Sequence, residues 1–199
     1  MASRPKPTCS PEEYLELERE AEFKSEYIDG YFVAMVGASE PHNLIVTNTV
    51  AALHAQLRGR DCRVYSNDMR VDLREQKLFA YPDVVVIFGE PQLSGDRRDN
   101  LRNPVVIIEV LSESTESYDR GIKFIKCRRI ESLKEYVLVA QDVALIEHYV
   151  RQENDDWLMS ETSGVDASVR LGSIECDLRL SEVYDKFRRG RLTSSLHKD

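Results

Sequence analysis

The hydrophobic pattern predicts two helices separated by a hairpin in the first third of the chain. Ser10 opens a Ser-Pro-Glu-Glu capping box, which predicts a first helix running to about Lys24. Within residues 27–33, apolar stretches flank an Asp-Gly pair, the sequence signal for a tight antiparallel hairpin. Apolar residues then recur at helical spacing over residues 41–58, so a second helix follows.

Two continuous β-branched runs predict the centre of a sheet. Residues 84–88 and 105–108 are apolar throughout, which is typical of strands covered on both faces. Residues 89–103 between them are rich in Gly, Asp, Arg and Asn and predict an exposed loop. Shorter strands are predicted at residues 62–66, 69–74, 136–139, 144–150, 157–161, 169–171 and 174–180.

Two further helices are predicted in the second half of the chain. The first follows Ser114 or Thr115, either of which can cap it. Its predicted buried stripe includes Tyr118, Ile122 and Ile125. A short helix is predicted near residues 181–187, and the polar tail at 188–199 is expected to fray.

Length and composition indicate a compact protein without a membrane partner. The chain has 199 residues, of which 42% are hydrophobic, so we expect a single domain over residues 1–199 with a core at about 10–187 and flexible tails. The sequence has no run of about 18 apolar residues and no apolar leader. We therefore expect a cytoplasmic protein. Its four cysteines form no C-x-x-C pair and predict neither a zinc knuckle nor a disulfide framework.

The formal net charge of -8 narrows the possible functions. It argues against a protein that coats nucleic acid nonspecifically, because phosphate contacts need clustered cations. It does not exclude a nuclease, since bound divalent ions can offset carboxylates. The motifs of serine hydrolases, zincins and P-loop enzymes are absent from the sequence.

Two acidic residues break the apolar strand pattern. Glu109 interrupts the apolar run 105–111 and shares a face with Ile107, and Asp83 opens the apolar strand at 84–88. A buried carboxylate is costly unless a cation or hydrogen-bond donors compensate it. If the two strands are neighbours, both carboxylates converge and offer the hard oxygen ligands that Mg²⁺ prefers. The alternative is a Glu paired with Arg or Tyr and an Asp that caps a turn.

Lys123 is the candidate cation beside these acids. It lies on the predicted helix, four residues after Asp119. One interpretation is an ordinary surface ion pair between these two residues. The other is that Lys123 points at Asp83 and Glu109, orients water and stabilises charge at a reacting phosphate.

The motifs together resemble a known family. Tyr81-Pro82-Asp83, Glu109-Val110-Leu111-Ser112, Asp119-Arg120 with Lys123, and Glu135-Tyr136 occur in this order. The chain resembles the bacterial Uma-two family of restriction endonuclease-like proteins, within the PD-(D/E)XK nuclease superfamily, from about residue 12 to about residue 184. The resemblance implies an α/β (α+β) fold with a restriction endonuclease-like core, a mixed central β-sheet flanked by helices, and added antiparallel strands.

The resemblance also implies a catalytic set. Asp83 and Glu109 match the metal ligands, with the Val110 carbonyl as a further ligand, and Mg²⁺ is the expected ion with Mn²⁺ as a substitute. Glu26, near the end of the first predicted helix, matches an additional acidic position. The superfamily lysine two places after the second acid is Leu111 here, and Lys123 takes over its role.

Further residues are candidates for contacts with nucleic acid. His42 matches a family position and is either a structural hydrogen-bond partner or a functional group. The remaining candidates for phosphate contacts, against the alternative of solvated surface charge, are Arg97, Arg98, Arg102 and Arg120.

The expected activity is hydrolysis of phosphodiester bonds, with DNA as the default substrate. A homodimer is expected because cutting both strands of a duplex needs two active sites, and the predicted strand at 144–150 could supply its sheet edge. The alternative function is a catalytically inactive nucleic-acid-binding or accessory module on the same fold.

Overall fold

The structure is a computed structural model that describes residues 9–35 and 37–187. The expected flexible tails at residues 1–8 and 188–199 lie outside the described residues. The helices are α1 (Pro11–Glu20), α2 (Glu40–Leu57), α3 (Glu116–Tyr118), α4 (Phe124–Cys127) and α5 (Leu180–Val183). The strands are β1 (Ser25–Ile28), β2 (Tyr31–Ala34), β3 (Cys62–Ser66), β4 (Arg70–Leu73), β5 (Leu78–Ala80), β6 (Val84–Phe88), β7 (Leu93–Ser94), β8 (Asn100–Leu101), β9 (Val106–Leu111), β10 (Glu135–Ala140), β11 (Leu145–Arg151), β12 (Trp157–Ser163), β13 (Ser168–Leu171) and β14 (Cys176–Arg179).

The strands form two large mixed sheets and a small hairpin. The central sheet has the order β12-β11-β10-β9-β6-β3, in which β9 and β10 pair in parallel and the other described neighbours pair antiparallel. The second sheet has the order β2-β1-β5-β4-β8-β7. β13 and β14 pair separately. The predicted fold, a mixed central sheet flanked by helices with added antiparallel strands, is confirmed.

The first helix begins, and the first hairpin turns, at the residues that the sequence predicts. The Ser10 hydroxyl accepts a hydrogen bond from the Glu13 N–H, and Glu13 Oε2 accepts one from the Ser10 N–H, which completes the capping box. The hairpin turns at Asp29 and Gly30, whose φ angles of 49° and 95° fit the primed turn that an Asp-Gly pair favours.

The inner strands β6 and β9 of the central sheet are buried on both faces, as their uninterrupted β-branched runs predict. On one face, Val84 and Val86 belong to a cluster with the apolar side of α2 and with β13, β14 and α5. On the other face, Val85 and Ile87 belong to a cluster with β4, β5 and α4. None of the described helices is long and apolar enough to cross a membrane.

The first helix is shorter than predicted. It ends at Glu20, and Glu26 lies on β1 rather than near the end of a helix. β1 pairs with β2 on one side and with β5 on the other. This pairing provides backbone hydrogen bonds from distant segments, which override the local helix propensity.

The predicted buried stripe on the helix after residue 115 is wrong at Ile122 and Ile125. Ile122 and Ile125 are 40% and 47% exposed, whereas Asp119 and Lys123 are buried. The helix has a wide turn over Asp119–Lys123 with non-helical dihedral angles at Gly121, so the face that meets the sheet is shifted. The interpretation of Asp119 and Lys123 as a surface pair is therefore also wrong.

Two other predictions need correction. The segment 89–103 is not simply an exposed loop, because it forms β7 and β8, and Asn100 and Leu101 are fully buried where β8 pairs with β4. β11 cannot supply a sheet edge, since β10 and β12 cover it on its two sides. Within the described chain, the edges of the central sheet are β12 and β3.

Candidate active site

Asp83 and Glu109 meet across two adjacent strands. β6 and β9 are antiparallel, and Val84 pairs with Ile108, so Asp83 lies opposite Glu109. The Val110 N–H donates to Asp83 Oδ2 over 2.7 Å, and the Asp83 N–H lies 3.4 Å from Glu109 Oε2. Each carboxylate is thus fixed by the backbone of the strand that carries the other.

Lys123 reaches this pair from the kinked helix. Its Nζ lies 2.8 Å from Glu109 Oε1, 3.0 Å from Glu26 Oε1 and 3.6 Å from Asp119 Oδ1. The lysine is only 3% exposed. Three carboxylates around one ammonium crowd negative charge in a buried place, and this charge is relieved by protonation of a carboxyl group or by a further cation.

Glu26 is held in place from two further directions. The Tyr81 N–H donates to Glu26 Oε1 over 2.8 Å, and the Tyr118 hydroxyl donates to Glu26 Oε2 over 2.7 Å. Burial raises the pKa of Tyr118, so its hydroxyl keeps the proton that this hydrogen bond needs. Glu26 therefore joins the hairpin to the kinked helix through fixed contacts.

The proton affinities of the cluster reflect its burial and its excess of acids. Burial raises the pKa of Glu109 well above the ordinary carboxyl range, against the opposing effect of Lys123. Burial also raises the pKa of Asp119. Burial alone would lower the pKa of Lys123, but the surrounding carboxylates, led by Glu109, raise it well above its usual value. Lys123 is accordingly an ammonium group that can donate but not accept.

Asp83 and Glu109 carry the carboxylate oxygens that a hard divalent cation prefers. Glu109 Oε1 is buried, and the Lys123 ammonium contacts it at 2.8 Å. No group of three or more His, Cys, Asp or Glu side chains within residues 9–35 and 37–187 is arranged to hold a metal. Two carboxylates suit Mg²⁺, which is usually bound through few protein ligands and keeps several waters.

His42 contacts one of the two acids directly. Its Nε2 lies 3.0 Å from Asp83 Oδ1, and its side chain is 13% exposed. The residue stands in the first turn of α2, where the Ser39 hydroxyl caps the His42 N–H. α2 therefore brings a polar partner to the outer oxygen of Asp83.

An open cleft of about 760 Å³ gives access to this cluster. Its lining includes Glu26, His42, Asp83, Glu109 and Lys123. The candidate arginines are not among the described residues that line it. Arg102 pairs with Glu75 at 2.5 Å, and Arg120 pairs with Glu147 at 2.5 Å.

Local sequence patterns do not assign Asp119, Tyr118 and Tyr81 to the site. Helical spacing predicts a core position for Tyr118, and the spacing of Asp119 and Lys123 is compatible with a surface pair, although both Tyr118 and Asp119 line the cleft. The Tyr81 hydroxyl accepts from Arg70 Nη1 over 2.9 Å and donates to Glu18 Oε1 over 3.1 Å. The one sequence feature that links Tyr81 to the site is its position two residues before Asp83.

Paired acids on the central strands of a mixed sheet, with a buried lysine beside them, define a protein of the restriction endonuclease-like class. Residues 11–181 match the model of the Uma-two (Uma2) family, described as "Putative restriction endonuclease". The chain belongs to this family, and its membership supports a nuclease-like function.

Individual relatives extend this similarity over nearly the whole chain. Two uncharacterized proteins of Synechocystis are similar to it. One, sll1609, is 36% identical over 80% of this chain and 90% of its own length. The other, slr1290, is 33% identical over 92% of this chain and 94% of its own length.

A solved structure shares the fold. A crystal structure from Anabaena variabilis, described as a "putative nuclease belonging to DUF820", matches with a TM-score of 0.74. The two proteins are 19% identical, and the match covers 88% of this chain and 97% of the other.

Proposed function

We propose that this protein is a metal-dependent nuclease that hydrolyses phosphodiester bonds in DNA by a PD-(D/E)XK-type mechanism. One observation carries the proposal. Asp83 and Glu109 face each other on adjacent strands in an open cleft, and Lys123 Nζ lies 2.8 Å from Glu109. Paired carboxylates on rigid strands beside a fixed ammonium provide the groups that phosphoryl hydrolysis requires.

Asp83 and Glu109 would hold Mg²⁺, or Mn²⁺ in its place, with the Val110 carbonyl as a further ligand. The bound ion supplies a water of lowered pKa and charge neutralisation at the scissile phosphate. His42 fixes the orientation of Asp83 through the contact at 3.0 Å. Such partners of metal ligands set the orientation of the ligand and its affinity for metal.

Lys123 would act as a donor rather than as a base. The carboxylates around it favour its ammonium form, in which it can orient the attacking water and donate to a phosphate oxygen. Glu26 positions Lys123 from the opposite side at 3.0 Å. This assignment accounts for Leu111 at the position where the superfamily lysine normally stands.

The proposal is tested by metal binding and cleavage with matched variants. Titration calorimetry with Mg²⁺ and Mn²⁺, followed by cleavage of DNA, should give binding and turnover in the wild type. Both should be lost in Asp83→Asn and Glu109→Gln. Asp177→Asn removes a half-exposed carboxylate on β14, outside the cleft, and should change neither.

A contrary result would favour the alternative function. Binding of nucleic acid that needs no metal, without cleavage under any condition, would indicate an inactive accessory module. The expected single domain and the homodimer also remain predictions. Light scattering tests the dimer, which the proposed mechanism needs only if both strands of a duplex are cut.

A further inference from the structure

The cleft has an apolar wall at its mouth. Phe23, Val33 and Met35 all line it and are 75%, 40% and 38% exposed. Phe23 comes from the connection between α1 and β1, and the other two come from β2 and the residue just beyond it. Among the described residues, the Phe23 ring has no aromatic partner. Such an exposed ring adds little to the core and is free to receive a flat ligand.

The charge of the cleft does not suit a DNA duplex. The described lining residues include six carboxylates and two lysines. Lys24 forms an ion pair with Asp68, and Lys123 is buried among carboxylates. Proteins hold a duplex mainly through clustered cations on both phosphate backbones. This lining provides no such cluster.

The apolar wall can instead bind a nucleotide by stacking with its base. Stacking on an aromatic ring requires the face of a base to be free, which is the case in single strands, loops and ends. Its strength depends little on the sequence, because every base has a π-face. A cleft of about 760 Å³ lies within the size range of ligand sites and has room for an unpaired nucleotide.

We propose that the cleft takes an unpaired polynucleotide strand and that one of its bases stacks on Phe23 against Val33 and Met35. A neighbouring phosphate then lies at Asp83 and Glu109. This inference rests on the proposed nuclease function and narrows its substrate to single strands, loops or ends. DNA and RNA share the recognised chemistry, so the two are separated by experiment.

Binding measured without turnover tests the proposal. Ca²⁺ replaces Mg²⁺ in this experiment, so that a divalent ion still offsets the carboxylates of the cleft. Fluorescence anisotropy with one sequence as single-stranded DNA, single-stranded RNA and duplex DNA should show tighter binding of a single strand than of the duplex. Phe23→Ala should weaken single-strand binding about tenfold. Phe23→Trp should retain it, whereas Phe23→Leu, apolar without a ring, should not. Leu17→Ala removes an exposed apolar residue of α1 outside the cleft and should change nothing.

The outcomes separate this proposal from the nuclease function. Three results would contradict the proposed stacking on Phe23. They are equal or tighter binding of the duplex, an unchanged affinity in Phe23→Ala, and no binding of any oligonucleotide. Metal-dependent cleavage of duplex DNA alone, at the same rate in wild type and Phe23→Ala, would also contradict stacking on Phe23 but would support the nuclease function. Single-strand binding that depends on the Phe23 ring, without cleavage at any metal concentration, would support stacking on Phe23 and would contradict the nuclease function.

Discussion

Glu26 Oε1 lies 3.0 Å from Lys123 Nζ, which links the first strand of the hairpin to the kinked helix across the cleft. The same ammonium lies 2.8 Å from Glu109 on the central sheet. One lysine thus holds three separate parts of the fold together at the place where the chemistry is proposed. Its removal should therefore affect both stability and activity.

Lys123→Met should destabilise the protein by about 3–5 kcal/mol, because it leaves buried carboxylates without their cation. Urea unfolding monitored by circular dichroism measures this loss. The double variant Lys123→Met with Glu109→Gln should be less destabilised than the sum of the two single variants, because the second change removes an unpaired charge. Simple additivity of the two losses would show that Lys123 and Glu109 are not energetically coupled.

Tyr118→Phe should cost about 1.5–3 kcal/mol, because it removes a hydrogen bond to the buried Glu26 carboxylate and leaves Glu26 Oε2 without that donor. Thermal and chemical unfolding measure the change. Tyr31→Phe is the matched control, since the buried Tyr31 hydroxyl has no partner among the described residues, and its loss should be neutral or slightly stabilising. Equal effects of the two substitutions would contradict the role of Tyr118.

The adjacency of the two acids could be anticipated from sequence because both stand in strands with unmistakable patterns. Asp83 opens one β-branched run and Glu109 interrupts another, and the cost of burying a carboxylate signals a partner at each. The partners themselves could not be identified in this way. Glu26 reaches Lys123 only because β1 pairs with β5, and no local pattern encodes that pairing.

The helix that is kinked at Gly121 shows why the other contacts of the site could not be predicted from the sequence. Helical spacing favours burial of Ile122 and Ile125, but Asp119 and Lys123 face inward to join the charged cluster. Apolar periodicity describes helices whose buried side is apolar, so it fails where a polar network occupies that side. The same reasoning applies to Asn100, which is buried in β8 where the composition of the segment indicated an exposed loop.

His42→Ala should lower the affinity for Mg²⁺ or Mn²⁺ by about 10- to 100-fold, because it removes the partner that orients Asp83. Titration calorimetry with either metal measures the change. His54→Ala is the matched control, since His54 lies on the same helix but is exposed and outside the cleft. An unchanged affinity in His42→Ala would limit this histidine to packing.

Glu135 and His148 should make the fold sensitive to acid at a place away from the cleft. The two side chains pair at 2.5 Å on neighbouring strands, and both are buried. Burial opposes ionisation, but the hydrogen bonds from His148 and Ser173 outweigh it and hold the pKa of Glu135 below its ordinary value.

A carboxyl whose pKa is lower in the folded state than in the unfolded chain stabilises the fold above its unfolded pKa, and this stability is lost as the pH falls through the folded value. The free energy of unfolding of the wild type should therefore decrease below about pH 4.5, the ordinary range of a glutamate. In Glu135→Gln this contribution is absent, so the variant should be less stable than the wild type at pH 6, and the difference should shrink as the pH falls through the lowered pKa of Glu135. Urea unfolding at several pH values measures both curves. A constant difference between them at every pH would show that the ionisation of Glu135 does not contribute to stability.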